Sequence, residues 1–363
     1  MTDWAGCPPQ QAGVRQRGLT RALDLISARG ATAQLCVLRH GQVVLDRAVG
    51  CPAGALFWLF SASKPFVALL IHLLAERGEL SLDDRVAAYW PRFGHQGKED
   101  ITIRQVLAHR SGLPVARSRA LDALAMTDWE QSVRHIEQAR PAWPPGQVPA
   151  YHYISYGFIL GEIARRVTGT ALPDFLATAF LRPLGLNDVH LGLADAQWPR
   201  HVPIRGRGLP GVVSAAFVNR RVTREAVIPA AGVSATARDL ARFYQALLRG
   251  GELDGVRVLR PETVEAARQP SGHGETDRFL RLPIRWSYGF QLGGPAGAPA
   301  ASRPMGRRSG PLVFGHNGSN CCVAWADPER QLVVAYLTDV LEAGPGGARH
   351  MADISDAIIE ACD

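Results

Sequence analysis

Lysine is almost missing from this 363-residue sequence: of its 40 basic side chains, all but Lys64 and Lys98 are arginine. An arginine preference on this scale follows genomic base composition and says little about function, but it makes any lysine inside a motif informative. Cysteine is also sparse, with six residues whose spacing fits no zinc site, and the adjacent pair Cys321–Cys322 does not suggest a secreted disulfide framework. Long apolar runs are absent. The longest, around Val67–Ala75, is interrupted by His72 and is too short to span a bilayer. Basic runs are absent too: the clusters Arg220–Arg221 and Arg307–Arg308 are short, no nucleic-acid motif accompanies them, and the net charge of +7 reads as a solvated arginine surface. Residues Met1–Pro9 lack a basic segment followed by an apolar one, so the expected location is cytoplasmic. No His-x-x-x-His, Cys-x-x-Cys or Gly-x-Gly-x-x-Gly stands in a suitable context, so neither a metal nor an organic cofactor is expected. Lys98 reads as a surface residue.

What is present is a globular composition, 47% apolar and 20% charged, with enough length for a sizeable core. Helical spacing predicts helices over Gln16–Arg29, Pro65–Arg77, Ile103–His109, Ile159–Val167, Phe175–Leu181, Arg238–Leu248 and Ala348–Ala361. Strand-like runs are Ala33–Leu38 and Val43–Val49, joined by a hairpin at His40-Gly41, and later Ser287–Leu292, Cys322–Ala326 and Leu332–Thr338. Strands at both ends and helices between them indicate an α/β domain (13–80 and 212–363) carrying a helical insertion (81–211).

The informative motif is Ser61-Ala62-Ser63-Lys64, placed between Phe57-Trp58-Leu59-Phe60 and a buried helix. Residues three apart share a helical face. A serine at the helix start lies in a positive field that favours an alkoxide, while the same field and burial disfavour an ammonium at Lys64. With 16 serines and two lysines in the chain, chance placement yields only about 0.09 such matches. An N-cap serine followed by a surface lysine is the bland alternative, and it leaves the Phe-rich strand and the buried helix unexplained.

Further segments carry a family resemblance. Leu80–Val86 follows the nucleophile helix. Ile101-Thr102-Ile103-Arg104-Gln105-Val106-Leu107-Ala108-His109-Arg110-Ser111-Gly112-Leu113-Pro114 comes next, then Pro145-Gly146 with Tyr151-His152-Tyr153. Last are Phe314-Gly315-His316-Asn317-Gly318 and Asp327-Pro328-Glu329. In this order the chain resembles the serine β-lactamase-like superfamily, in particular its esterase branch of family VIII carboxylesterases and class C-like relatives. The resemblance implies an antiparallel sheet flanked by helices, with an inserted all-helical subdomain. It also implies that Ser61 is the acylated nucleophile, Lys64 its base or proton relay, and Tyr151 a group exchanging protons with nucleophile and leaving group. A phenolate at Tyr151 needs a nearby cation, and Lys64 is the candidate. By the same resemblance His316 falls at the first position of a K-T-G-like motif. Gly318 would let substrate backbone approach, and the N–H groups of Ser61 and Ser319 would form the oxyanion hole. His109 reads as structural, and Trp286, Tyr288 and Trp325 as core or pocket lining.

Three departures bear on substrate. Tyr151-His152-Tyr153 lacks the amide of Tyr-x-Asn, His316 replaces a fixed cation by a titratable ring, and no export signal is read. Together they argue against β-lactamase and peptidoglycan peptidase activity. The expected activity is acyl transfer from a small-molecule ester or acyl donor through acyl-Ser61. Water as acceptor makes the protein a carboxylesterase, whereas an alcohol or amine makes it an ATP-independent transacylase of natural-product biosynthesis. A non-catalytic binding protein on the same fold is the contrasting class. No nucleic-acid partner and no membrane insertion are expected, and the oligomeric state is open.

Overall fold

The computed structural model describes residues 4–363; the part of the leader reading that falls on residues 1–3 lies outside them. Helix α1 (Gln16–Ala28) leads into the hairpin β1 (Ala33–Arg39) and β2 (Gln42–Val49), after which α2 (Lys64–Glu76) begins. The middle of the chain supplies α3 (Ser155–Thr168) and α4 (Ala237–Leu248). Strands β3 (Gln291–Leu292), β4 (Phe314–Gly318), β5 (Cys322–Asp327) and β6 (Leu332–Thr338) precede the last helix, α5 (Pro345–Cys362). His40 and Gly41 both have positive φ, 51° and 77°, as a tight hairpin turn with right-handed strand twist requires.

These strands form one antiparallel sheet in the order β3-β4-β5-β6-β1-β2. The junction between β1 and β6 pairs Ala33 with Thr338 and Arg39 with Leu332, tying the two ends of the chain into one sheet. Successive strand side chains point to opposite faces, and here both faces are buried. Leu35, Val37, Val323, Trp325, Val334 and Tyr336 pack against Leu19 and Ile26 of α1 and Ile354 and Ile358 of α5. Cys36, Leu38, Ala324, Ala326, Val333 and Ala335 face the main core with α2 and α4. The alanines on this second face leave room for the helices against the strands. Trp325 thus belongs to the core, where its indole N–H donates to Ser355 Oγ at 3.2 Å.

The expected helices are present with shifted ends. Arg119–Ala125 and Trp129–Gln138 are additional, each started by a side-chain cap from Ser118 or Asp128. The segment around Phe175–Leu181 is an α-turn, Leu172–Leu176, running into a π-turn, Ala177–Leu181. The Ser287–Leu292 run contributes only Gln291–Leu292 to the sheet, because Ser287 forms a separate bridge to Pro270. Two short strands also lie within 81–211. Val189–Leu191 pairs with Val233–Ala235, which also pairs with Phe57–Trp58, and Arg205–Arg207 lies parallel to Val340–Glu342.

Lys98 corrects the surface expectation. It is fully buried, and its ammonium donates to the carbonyls of Glu137 (2.9 Å) and Ala139 (2.5 Å), at the C-terminal end of helix Trp129–Gln138. The last carbonyls of a helix need donors and favour positive charge, so a lysine reaching them is drawn inward. Among the described residues no helix is long and apolar enough to cross a membrane.

Gly157 sets the approach of α3 to the segment that will matter at the site. A Cβ there would lie 2.2 Å from the Ala230 nitrogen and 2.7 Å from the Pro229 carbonyl carbon. Both are backbone atoms and cannot swing aside. Gly157→Ala is therefore expected to destabilise the fold by about 1–3 kcal/mol, the usual cost of overpacking, read as a lowered midpoint in urea unfolding.

Candidate active site

Ser61 sits in a 3₁₀ turn, Phe60–Ser63, that runs directly into α2 at Lys64, with Pro65 in the first turn where its missing N–H costs nothing. The residue before it, Phe60, has φ of 46°, a left-handed conformation that a bulky side chain avoids. Burial of Phe60 in the main core holds it there. The strained residue turns the chain so that Ser61 leaves the strand beside Lys64.

Lys64 is 1% exposed, and burial drives its pKa well below the ordinary lysine value. Its Nζ lies 2.9 Å from the Tyr153 carbonyl, 3.2 Å from the Ala230 carbonyl and 3.3 Å from Ser61 Oγ. A neutral amine has two N–H groups and one lone pair. The two carbonyls can only accept, so they take both hydrogens and leave the lone pair facing the Ser61 hydroxyl. Such an amine is placed to receive the serine proton.

Tyr151 completes the group. Its phenol is hydrogen-bonded to Ser61, and its ring centroid is 4.6 Å from Lys64 Nζ. Burial raises the Tyr151 pKa, the Ser61 hydrogen bond opposing it, so the resting group is a phenol. This differs from a phenolate held by a lysine cation: with both groups desolvated, each takes its neutral form.

His316, on β4, is 3% exposed and lies 6.3 Å from Tyr151 and 6.0 Å from Trp286, ring to ring. Its Nδ1 donates to the Asn317 carbonyl at 2.8 Å, which leaves the lone pair on Nε2, and that buried nitrogen has no hydrogen-bond partner. Burial and the neighbouring Lys64 lower its pKa to about 3. Gly318 is required by close approach, since a Cβ there would meet the Leu59 carbonyl oxygen at 2.0 Å and Cys322 Sγ at 2.4 Å. The next turn has Ser319 and Asn320 both left-handed, with the Cys321 N–H donating to the Gly318 carbonyl. That turn leaves the Ser319 N–H outside its own hydrogen bond.

The sequence reading missed Asp277. This fully buried carboxylate accepts from the Tyr151 N–H (2.9 Å) and the Trp286 indole (3.0 Å) through Oδ2, and from the N–H groups of Phe279 and Leu280 through Oδ1. Trp286 in turn stacks on Tyr151 at 5.3 Å, the planes 14° apart. Asp277 therefore fixes both the tyrosine and its neighbour, yet no local motif marks it. His109 lies behind them, its Nδ1 accepting from the His152 N–H at 3.2 Å and its ring 4.9 Å from Tyr151. His152 itself turns away to Ser111 Oγ, 2.9 Å off. Tyr288 lies elsewhere, beside α2, where its carbonyl is 2.7 Å from His72 Nε2. Among the described residues no group of three or more His, Cys, Asp or Glu side chains is arranged to hold a metal ion.

An antiparallel sheet flanked by helices, with a serine, a buried lysine and a tyrosine grouped beside it, is the architecture of the serine β-lactamase-like fold. The chain belongs to the Beta-lactamase family, which it matches over residues 21–357. It is similar to Esterase/beta-lactamase LipL of Mycobacterium tuberculosis, 31% identical over 84% of this chain and 76% of that protein. It is also similar to Penicillin-binding protein 4 of Amycolatopsis lactamdurans, 28% identical over 76% of this chain and 70% of that one. Among solved structures, a family VIII carboxylesterase superimposes with a TM-score of 0.82 at 25% identity, covering 96% of this chain and 99% of the other.

The buried histidines give the site an acid limit. His152 and His316 both have pKa values near 3 in the folded protein, mainly from burial, against an ordinary 6.5. Below pH 6.5 the unfolded chain binds protons that the folded chain refuses. Stability is thus expected to fall as pH drops from 6.5 toward 3, with a slope of about 1.4 kcal/mol per pH unit for each such histidine. Thermal melts across this range should show the fall, and His316→Asn should flatten it relative to the wild type.

Proposed function

We propose that the protein is a serine hydrolase that cleaves a carboxylic ester of a small molecule through an acyl-Ser61 intermediate. The observation that carries this reading is the lone pair of Lys64, left facing Ser61 Oγ after two carbonyls have taken the amine hydrogens. Lys64 accepts the Ser61 proton as Oγ attacks the ester carbonyl. The oxyanion that develops is held by the N–H groups of Ser61 and Ser319. Tyr151, hydrogen-bonded to the nucleophile, passes a proton to the departing alkoxide, and the alcohol leaves. Water then attacks the acyl-enzyme by the reverse relay and releases the acid.

An ester is favoured over a β-lactam or peptide substrate because the site lacks the groups that would bind the latter. Tyr153 stands where a side-chain amide would meet a substrate amide, and His316 is a neutral acceptor rather than a cation. The name of the structurally similar family VIII carboxylesterase agrees with an ester substrate. The division into an α/β unit (13–80 and 212–363) and an insertion (81–211) belongs to the same reading. Ser61 and Lys64 come from the first unit and Tyr151 from the second.

Ser61→Ala is expected to abolish p-nitrophenyl acetate turnover and labelling by a fluorophosphonate probe while the melting curve stays cooperative. Lys64→Met and Tyr151→Phe should each lower kcat by about 10²–10⁴. Intact-mass spectrometry after incubation with an ester panel reports the trapped acyl group. Partition of that group to an added alcohol or amine in preference to water would make the protein a transacylase. Persistent turnover by Ser61→Ala would remove the nucleophile from the proposal.

A further inference from the structure

The reacting centre offers no free fixed charge to a substrate. Burial drives Lys64 and His316 toward their neutral forms, and Asp277 is spent on three backbone N–H groups, those of Tyr151, Phe279 and Leu280, and on the Trp286 indole. A permanent cation stands one aromatic layer further out. Phe279, anchored by Asp277, lies 6.5 Å from Tyr151 and 6.4 Å from Tyr153, ring to ring, and so extends the wall of the site. The guanidinium of Arg119 lies over this extension, 4.6 Å from the Phe279 centroid and 5.7 Å from that of Tyr153.

Arg119 is exposed, and it makes no ion pair with any described residue. The acidic residue on its own helix, Asp122, is occupied by the N–H groups of Ala116 and Arg117. Arg278 and Arg281, which flank Phe279 in the same loop, are likewise exposed and without an ion pair among the described residues, whereas Arg110 nearby is paired with Glu275. Three arginines without an ion pair among the described residues are thus stacked on Phe279 or close to it in sequence. A guanidinium lying flat on a ring keeps its edge N–H groups free, and those groups fit the two oxygens of a carboxylate.

We propose that Arg119, laid across Phe279 and Tyr153, is the specificity-determining cation of this site and takes a carboxylate at the far end of the ester, whose apolar middle lies on the two rings. The inference rests on the ester-cleaving reading above. The substrate class is then an ester with an uncharged carbonyl region and a terminal carboxylate, carried on either the acyl or the alcohol part.

Matched pairs test it. On the acyl side, the p-nitrophenyl monoester of suberic acid is compared with p-nitrophenyl octanoate; on the alcohol side, 6-acetoxyhexanoate is compared with hexyl acetate. The wild type should prefer the charged member in at least one pair, with a preference that falls as ionic strength rises. Arg119→Gln should reduce the charged-to-neutral ratio of kcat/KM about tenfold, equivalent to about 1.4 kcal/mol. Arg119→Lys, which keeps charge but loses the fork, should fall between. An unchanged ratio in Arg119→Gln, or no charge preference in either pair, overturns the proposal. If the wild type cleaves no ester, the ester-cleaving reading fails and calorimetry with 4-phenylbutyrate still decides the arginine. Binding to Ser61→Ala that weakens about tenfold in Ser61→Ala/Arg119→Gln supports it, and equal binding overturns it.

Discussion

The buried amine of Lys64 is the constraint around which the rest of the site is arranged. An ammonium removed from water loses several kcal/mol of solvation that only a carboxylate could return, and no acidic side chain is among the causes acting on Lys64. Burial therefore drives its pKa well below the ordinary lysine value, and the amine is held in place by two carbonyls and a serine hydroxyl. Each of these partners comes from a different part of the chain. Tyr153 precedes α3, Ala230 precedes α4, and Ser61 ends the approach to α2. The three segments must close on one another before the amine is satisfied, so the chemistry of the site is linked to the assembly of the core.

This dependence explains features that have no chemistry of their own. Gly157 lets α3 come within contact of Ala230, which sets one acceptor. Gly318 lets β4 pass beside Leu59, which brings His316 and Ser319 to the nucleophile. Phe60 accepts a left-handed backbone at the turn that sets Ser61 beside Lys64. Asp277 places Tyr151 and Trp286 with one carboxylate. A low-dielectric interior makes such arrangements costly if any member is left unpaired, and correspondingly rigid when all are satisfied. Rigidity is what a proton relay over hydrogen-bond distances requires.

The neutrality that begins at Lys64 spreads outward. Tyr151 remains a phenol, and His316 and His152 remain uncharged imidazoles. Permanent positive charge stands further out, on an arginine stacked on Phe279 and on arginines close to it in sequence. A centre of this kind favours a carbonyl that becomes charged only in the transition state, where oriented N–H groups stabilise it more than they stabilise the ground state.

Much of this protein was legible from local pattern. Strand-like apolar runs in Leu332–Thr338 and Ala33–Leu38, helical spacing in Gln16–Arg29, and a Ser-x-x-Lys element in a lysine-poor chain are all signals carried by neighbouring residues. So are the turn at His40-Gly41 and the segments that place Tyr151, His316 and Gly318 in order. What the sequence could not reveal depends on partners far away along the chain. Lys98 reads as a surface charge until the carbonyls of Glu137 and Ala139 are brought over it. Asp277 is an ordinary turn residue until Tyr151 arrives, and Arg119 is one arginine among many until Phe279 slides beneath it. Hydrophobic periodicity and motif spacing are local properties of the chain; protonation state and the pairing of charges are set by burial and proximity, which exist only once it has folded.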